Sequence, residues 1–268
     1  MICLDRVWAV VLRQIYLLRG SWARVVPLFA WVSVNVVLWG FTSRYFESIS
    51  ATGMGLLPTL LGATLLWNYF DRVMHGVTTA FLEDVWSRNF LNLFSSPLTT
   101  GEYVLGLVLT CFFTSTLGLL MMVAIAAWGF GLTWTGDIVA LGGFLAIMLA
   151  FGIALGIMAS AMVLRLGPAA EWFVWPVPAL LSPFVGVFYP QRVLPTWMQA
   201  VAKVLPPTYV FENMRAMMSG APWSMTDLVV GLCLSAGYVV LGMLVFSAVH
   251  RSVLRSGLLA RYSAEGAS

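Results

Sequence analysis

Catalysis needs groups that move protons or electrons or hold metal ions, and this chain has few of them. His75 and His250 are its only histidines, far apart in sequence, each beside the end of an apolar run and without a second ligand at metal-binding spacing. Nucleophilic or metal-assisted chemistry needs several such groups converging at one point, and lone histidines of this kind are mostly structural. The three cysteines, Cys3, Cys111 and Cys233, read as small apolar side chains rather than a disulfide framework. A phosphate-cradling G-x-x-x-x-G-K-[ST] loop does not occur, and the single lysine is Lys203. The chain therefore lacks an ATPase motif of its own and is not expected to be an enzyme.

Recognition is the chemistry the residues do suggest. In the segment from Glu83 to Leu98, Trp86, Phe90, Leu93 and Phe94 recur at i, i+4, i+7 and i+8, with Asp84, Ser87, Arg88, Asn89 and Asn92 on the other face and Pro97 as the stop. Glu83 and Asp84 fall in the first turn, where the helix dipole favours acidic groups. Such a short helix with an aromatic stripe fits a partner's groove, or rests on the membrane surface.

Further along, Leu194, Trp197, Met198, Val201 and Leu205 space one apolar face. Pro206 and Pro207 break it, and Val210, Met214 and Met217 begin another before Gly220. This segment reads either as a gate or lateral guide for a substrate, with Trp197, Pro206, Pro207, Tyr209 and Arg215 as its residues, or as an interfacial cap. Pro176, Pro178 and Pro183 punctuate the apolar run Trp172 to Phe188. Prolines there free carbonyls and kink the helix, for pathway lining or for packing alone. Asn35 and Asn68 sit within apolar runs, where hydrogen bonding across helices is favoured over substrate contact.

The elements that must position these residues follow from composition. Of 268 residues, 60% are hydrophobic and 9% charged, against roughly 25% charged in a soluble domain. Mean hydropathy is +0.91. The solvent for most of this surface is a bilayer. Net charge is +3 without a basic run, so nothing points to nucleic acid. Residues 1–20 place Leu4, Val7, Trp8, Val11, Leu12, Ile15 and Leu18 at helical spacing with Asp5, Arg6, Arg13, Gln14 and Arg19 between them. That predicts an amphipathic helix lying in the membrane interface. Arg13 interrupts the apolar run and no cleavage site follows, so the segment is not expected to be a removed signal peptide.

Six spans follow: Val25 to Phe41, Leu56 to Phe70, Tyr103 to Phe130, Ile138 to Leu164, Trp172 to Phe188 and Leu228 to Val249. The second is expected to run on through Val77 to Leu82, with its charged turn of Asp71, Arg72 and His75 near the cytoplasmic headgroups. With a cytoplasmic amino terminus, Arg6, Arg13, Arg19, Arg24, Arg72, Arg88, Arg165, Arg251, Arg255 and Arg261 lie inside. Arg44, Arg192, Lys203 and Arg215 lie outside, and the positive-inside rule then places both termini in the cytoplasm. Trp22, Trp39, Trp67, Trp134, Trp172 and Trp223 near span ends read as an aromatic belt, or, where they face inward, as rings for stacking on sugars or flat drugs. The whole of 1–268 reads as one membrane domain.

The run from Glu83 to Gly106, with Ser96-Pro97-Leu98 followed by Glu102 and an apolar helix, resembles the signature loop of the ABC-2 type permeases, the membrane subunits of type V ABC exporters. The segment within 190–222, with Leu194 to Trp197, Leu205-Pro206-Pro207-Thr208 and Met214-Arg215, is similar to the re-entrant external hairpin those permeases carry before their last span. The resemblance implies an all-α protein with a cytoplasmic coupling helix over 83–98, multi-pass in a bacterial inner membrane. It implies a dimer, expected as a homodimer, resting on two copies of a cytoplasmic ABC ATPase that binds the ATP and Mg, so that this chain needs no cofactor. Glu83, Asp84, Trp86, Arg88, Asn89, Asn92, Phe94 and Pro97 would then lie at the ATPase groove, with Arg6 and Arg13 near its edge. Trp86-Ser87 departs from the more charged start of many relatives, which points to a cognate ATPase. The cargo implied is a lipid-linked glycan, drug or other amphiphile, moved outward.

Two rivals come from other classes. An intramembrane enzyme lacks its converging groups. A secondary carrier needs ionisable residues near the bilayer centre, whereas the spans drawn above leave charges at their ends.

Overall fold

The computed structural model describes residues 3–20, 22–49, 56–86, 96–133 and 136–256, and among them every regular element is helical. Helix α1 is Leu4–Arg19, α2 Trp22–Ile49, α3 Leu56–Trp86, α4 Thr100–Phe130 and α5 Ile138–Leu166. A 3-10 turn at Pro168–Ala170 leads into α6 Glu171–Val174 and α7 Val177–Val185. After a second 3-10 turn, Gln191–Val193, come α8 Thr196–Ala202, α9 Pro206–Met218 and α10 Met225–Ser256. Among the described residues, three helices are long and apolar enough to cross a membrane: Thr100–Phe130, Ile138–Leu166 and Met225–Val253. The 28-residue α2 and 31-residue α3 also have the length, since a span takes roughly 20 residues.

Helix α5 lies between α3 and α10, its two most extensive neighbours, and α4 packs on α1, α2 and α3. Small residues set the closest approaches. At Gly156 a Cβ would stand 2.8 Å from the Met74 carbonyl, and at Gly152 2.8 Å from Val73. Backbones thus meet closely enough for the Thr78 hydroxyl to donate to the Gly156 carbonyl at 3.3 Å. In lipid there is no hydrophobic drive between helices, so such contacts and hydrogen bonds carry the association. Outward faces stay apolar, as on α2, where Val34, Leu38, Phe41 and Tyr45 are all exposed.

Four expectations need correction. The run Trp172 to Phe188 is not one helix. Pro176 offers no N–H and its ring clashes with the preceding turn, so the chain divides into a 4-residue and a 9-residue helix. From Glu171 to Val185 these rise about 22 Å, short of the roughly 30 Å of a hydrocarbon core. Helix α3 runs on past the expected Leu82 to Trp86, so that Asp71, Arg72 and His75 occupy its middle. Gln14, assigned to the polar face of α1, is 3% exposed, whereas Leu4, Trp8, Leu12 and Tyr16 are exposed on the opposite side. Val7, Val10 and Val11 turn inward because Gly106 of α4 has no side chain to keep them away; a Cβ there would stand 2.6 Å from Val10. Finally, among the described residues Asn35 and Asn68 do not bridge helices: their amides donate to the carbonyls of Trp31 (3.5 Å) and Thr64 (2.8 Å), one turn back on their own helices.

Candidate functional site

Two polar constellations interrupt the apolar bundle. The first ties α1 to both flanks of the 87–95 segment. Asp84, in the last turn of α3, is fully buried. Its Oδ1 accepts from Arg13 and its Oδ2 from the Tyr103 hydroxyl at 2.6 Å. Burial alone would lower the pKa of the Arg13 guanidinium, but the hydrogen bond and charge of Asp84 outweigh it and hold the group above its ordinary value. On the other flank Thr99 and Glu102 form a capping box at the start of α4. The Glu102 carboxylate accepts from the backbone N–H of Thr99 and of Cys3, both at 2.8 Å, and lies 3.7 Å from Arg6. Arg6 also donates to the Pro97 carbonyl. One short helix therefore joins the end of α3 to the start of α4, and every bond of the clamp involves a charged partner or an orphan helix N–H, the stronger classes of hydrogen bond.

Of the residues expected at an ATPase groove, Glu83 and Asp84 belong to the end of α3, and Asp84 faces Arg13 and Tyr103. Trp86 is the last residue of that helix, and Pro97 lies in a turn. Arg88, Asn89, Asn92 and Phe94 lie outside the described residues, as do 87–95 altogether. Arg6 and Arg13 are spent on Pro97, Glu102 and Asp84.

The second constellation is a cavity of about 580 Å3 lined by α1, α2, α3, α4 and α6. Asn68, Asp71, Arg72, His75 and Glu83 of α3 face it, with Gln14 of α1, Glu171 of α6 and Trp175 just after that helix. Arg72 is 8% exposed; its Nε and Nη2 donate to the Thr114 carbonyl at 3.3 and 3.2 Å, and its guanidinium lies 5.2 Å from the Phe29 ring centroid. Gly118 makes the room, since a Cβ there would stand 2.5 Å from Arg72 Nε. His75 Nδ1 is 3.2 Å from Asp71 Oδ1, and its ring stacks on Trp175 at 4.4 Å. Trp175 in turn donates to Glu171 at 2.8 Å.

Among the expected pathway residues, only Asn68 lines this cavity; Asn35, Pro176, Pro178 and Pro183 do not. Pro176 and Pro178 start α7 and Pro183 lies within it. Pro206 and Pro207 open α9 at its first positions, where a missing N–H costs nothing, and both are buried. Arg215 donates to the Gly186 carbonyl at 2.7 Å and to Glu212 at 2.9 Å, while Glu212 accepts the Gln191 N–H at 2.7 Å. These bonds fasten α9 to the turn after α7, where Gly186 takes φ +68°. Tyr209 donates to the Lys203 carbonyl at 2.8 Å, and the exposed Trp197 meets Phe184 edge-on at 5.9 Å.

Sequence reading missed Tyr103 and Glu171, and did not join Asn68, Asp71, Arg72, His75 and Glu83 into one site. A signal existed for Thr99: Thr99-Thr100-Gly101-Glu102 is a T-x-x-E capping box ahead of an apolar run. None existed for Tyr103, whose partner Asp84 lies on another helix. Compared with known protein families, the chain matches the profile of ABC-2 type transporters over residues 1–219. No curated protein matches it.

Proposed function

Because the chain belongs to the ABC-2 type transporter family, we propose that it is the membrane subunit of an ATP-driven exporter, energised by two copies of a separate cytoplasmic ATPase that bind ATP and Mg. The observation that carries the reading is the clamp of α1 on both flanks of the 87–95 segment. A push on that segment reaches α1, α3 and α4 together as a rigid body rather than being lost in a hinge. Glu83, Trp86, Arg88, Asn89, Asn92 and Phe94 would meet the ATPase, and Asp84, Arg6 and Arg13 would transmit from behind that surface. Six crossings with both termini in the cytoplasm of a bacterial inner membrane, the broken α6–α7 stretch counting as the fifth, agree with the arginine distribution. The pathway would lie between two copies of this chain, in a homodimer. The cargo would be a lipid-linked glycan, drug or other amphiphile, and the 190–222 segment, locked by Arg215, would cap the outer end.

Co-expression with the ATPase encoded beside it tests this. The pair should co-elute in detergent and hydrolyse ATP, and Trp86→Ala with Phe94→Ala should abolish both. Failure of a folded wild-type chain to associate would overturn the reading. A stand-alone carrier gains one observation, the Asp71, Arg72 and His75 group at the middle of α3. Cargo movement in vesicles driven by an ion gradient without any ATPase would decide for it.

A further inference from the structure

The cavity beside α3 is more than a packing defect, and its groups specify a ligand. Polar atoms buried without partners cost free energy, and a site that keeps them is built for something that supplies the partner. Gln14 is 3% exposed, yet among the described residues its Nε2 has no hydrogen-bond partner, and the side chain lines the cavity. His75 Nε2 is likewise buried and unpartnered. In the tautomer that carries its proton on Nδ1, toward Asp71 Oδ1 at 3.2 Å, Nε2 offers a lone pair to a donor.

Charge decides what kind of donor. Among the described residues that line the cavity, Asp71 and Glu171 stand against one permanent cation, Arg72. Arg72 is held by the Thr114 carbonyl and the Phe29 ring, and Arg13, next to Gln14, is held by Asp84. The carboxylates are thus in excess, in a setting of low dielectric where a cation is worth more than in water. Trp31 and Trp175 also line the space while staying 68% and 50% exposed, which places them at its mouth. Both rings present faces that attract cations. Leu18, Val32 and Ala80 supply the apolar remainder.

We propose that this cavity binds an amphiphile bearing a protonated amine, its ammonium N–H groups directed to His75 Nε2, Asp71 and Glu171, and a hydrogen-bond acceptor on its body taken by Gln14. The same ammonium chemistry belongs to lipophilic amines and to the head group of an aminophospholipid. The proposal deepens the permease reading by naming a ligand class, and it is tested without ATP so that the two can fail separately.

The test places the full chain in phosphatidylcholine nanodiscs and follows polarisation of rhodamine 6G, a lipophilic cation with N–H donors, with empty nanodiscs subtracted. Saturable binding is expected, displaced by dodecylamine and not by dodecanol or dodecanoate. Glu171→Gln and Asp71→Asn should each weaken it about tenfold or more, the loss expected for a hydrogen bond to a charged group. Size-exclusion profiles establish that the variants are folded, and should one not fold, the three-ligand series on the natural chain still decides. Repeating the titration with phosphatidylethanolamine in the disc names the source: weaker dye binding identifies the lipid head group, unchanged binding a free amine. No saturable binding, equal displacement by all three dodecyl compounds, or unchanged affinity in both folded variants overturns the proposal. Binding by a chain that associates with no ATPase would leave the site standing and remove the permease reading; the converse removes only the site.

Discussion

Arg13, Asp84 and Tyr103 form one unit, and its strength can be measured by a double-mutant cycle. Asp84 is fully buried and accepts two hydrogen bonds, one from a guanidinium whose side chain is 25% exposed and one from a phenol that is itself fully buried. Tyr103→Phe removes one bond to a charged acceptor that still keeps Arg13, at a cost of about 1.5 kcal/mol. Asp84→Ala strands the buried hydroxyl as well as the guanidinium. Water reaches a quarter of the arginine and discounts its share, so the total should be about 3 kcal/mol. For Arg13→Gln and Asp84→Asn, singly and together, the coupling should be about 1–2 kcal/mol, within the range of contacting pairs. Unfolding in mixed detergent micelles, followed by tryptophan fluorescence, supplies the four free energies. Coupling below about 0.3 kcal/mol would mean that the two residues act independently, and the idea that α1 is pinned to the end of α3 would be wrong.

Two further outcomes follow from the packing. Gly118→Ala pushes a methyl group to 2.5 Å from the Arg72 guanidinium and should cost about 1–3 kcal/mol, whereas Gly129→Ala, with nothing within 4 Å, should be neutral or stabilising; equal effects in the same micelle assay would dismiss the Arg72 contact. Arg215→Met should speed hydrogen exchange in residues 186–193, and Arg215→Lys should restore only part of the protection, because one ammonium does not reproduce the planar fork that reaches Gly186 and Glu212. Exchange unchanged in both variants would show that this lock does not hold the turn.

What the residues determined by themselves was whatever is local or set by the solvent. Apolar runs such as Tyr103 to Phe130 and Ile138 to Leu164 lie within α4 and α5 nearly end to end, because a membrane leaves the backbone no other partner than its own helix. The prolines at 176 and 206 mark helix boundaries for an equally local reason, the missing N–H. Membership of a transporter family was also legible, from a loop and a hairpin motif whose order spans most of the chain.

Tertiary structure decided which polar groups meet. Hydropathy along α3 shows a charged turn and says nothing of its partners; Arg72 is buried because Gly118 of α4 leaves it room against the Thr114 carbonyl. Periodicity in α1 gave Gln14 and Arg13 one polar label. Contact with α4 then buried the glutamine beside a cavity and turned the arginine onto Asp84. Partners such as Tyr103 for Asp84 and Cys3 for Glu102 stand 19 and 99 residues apart. No periodicity along a single helix can register such pairs, because it is the packing between helices that brings them together.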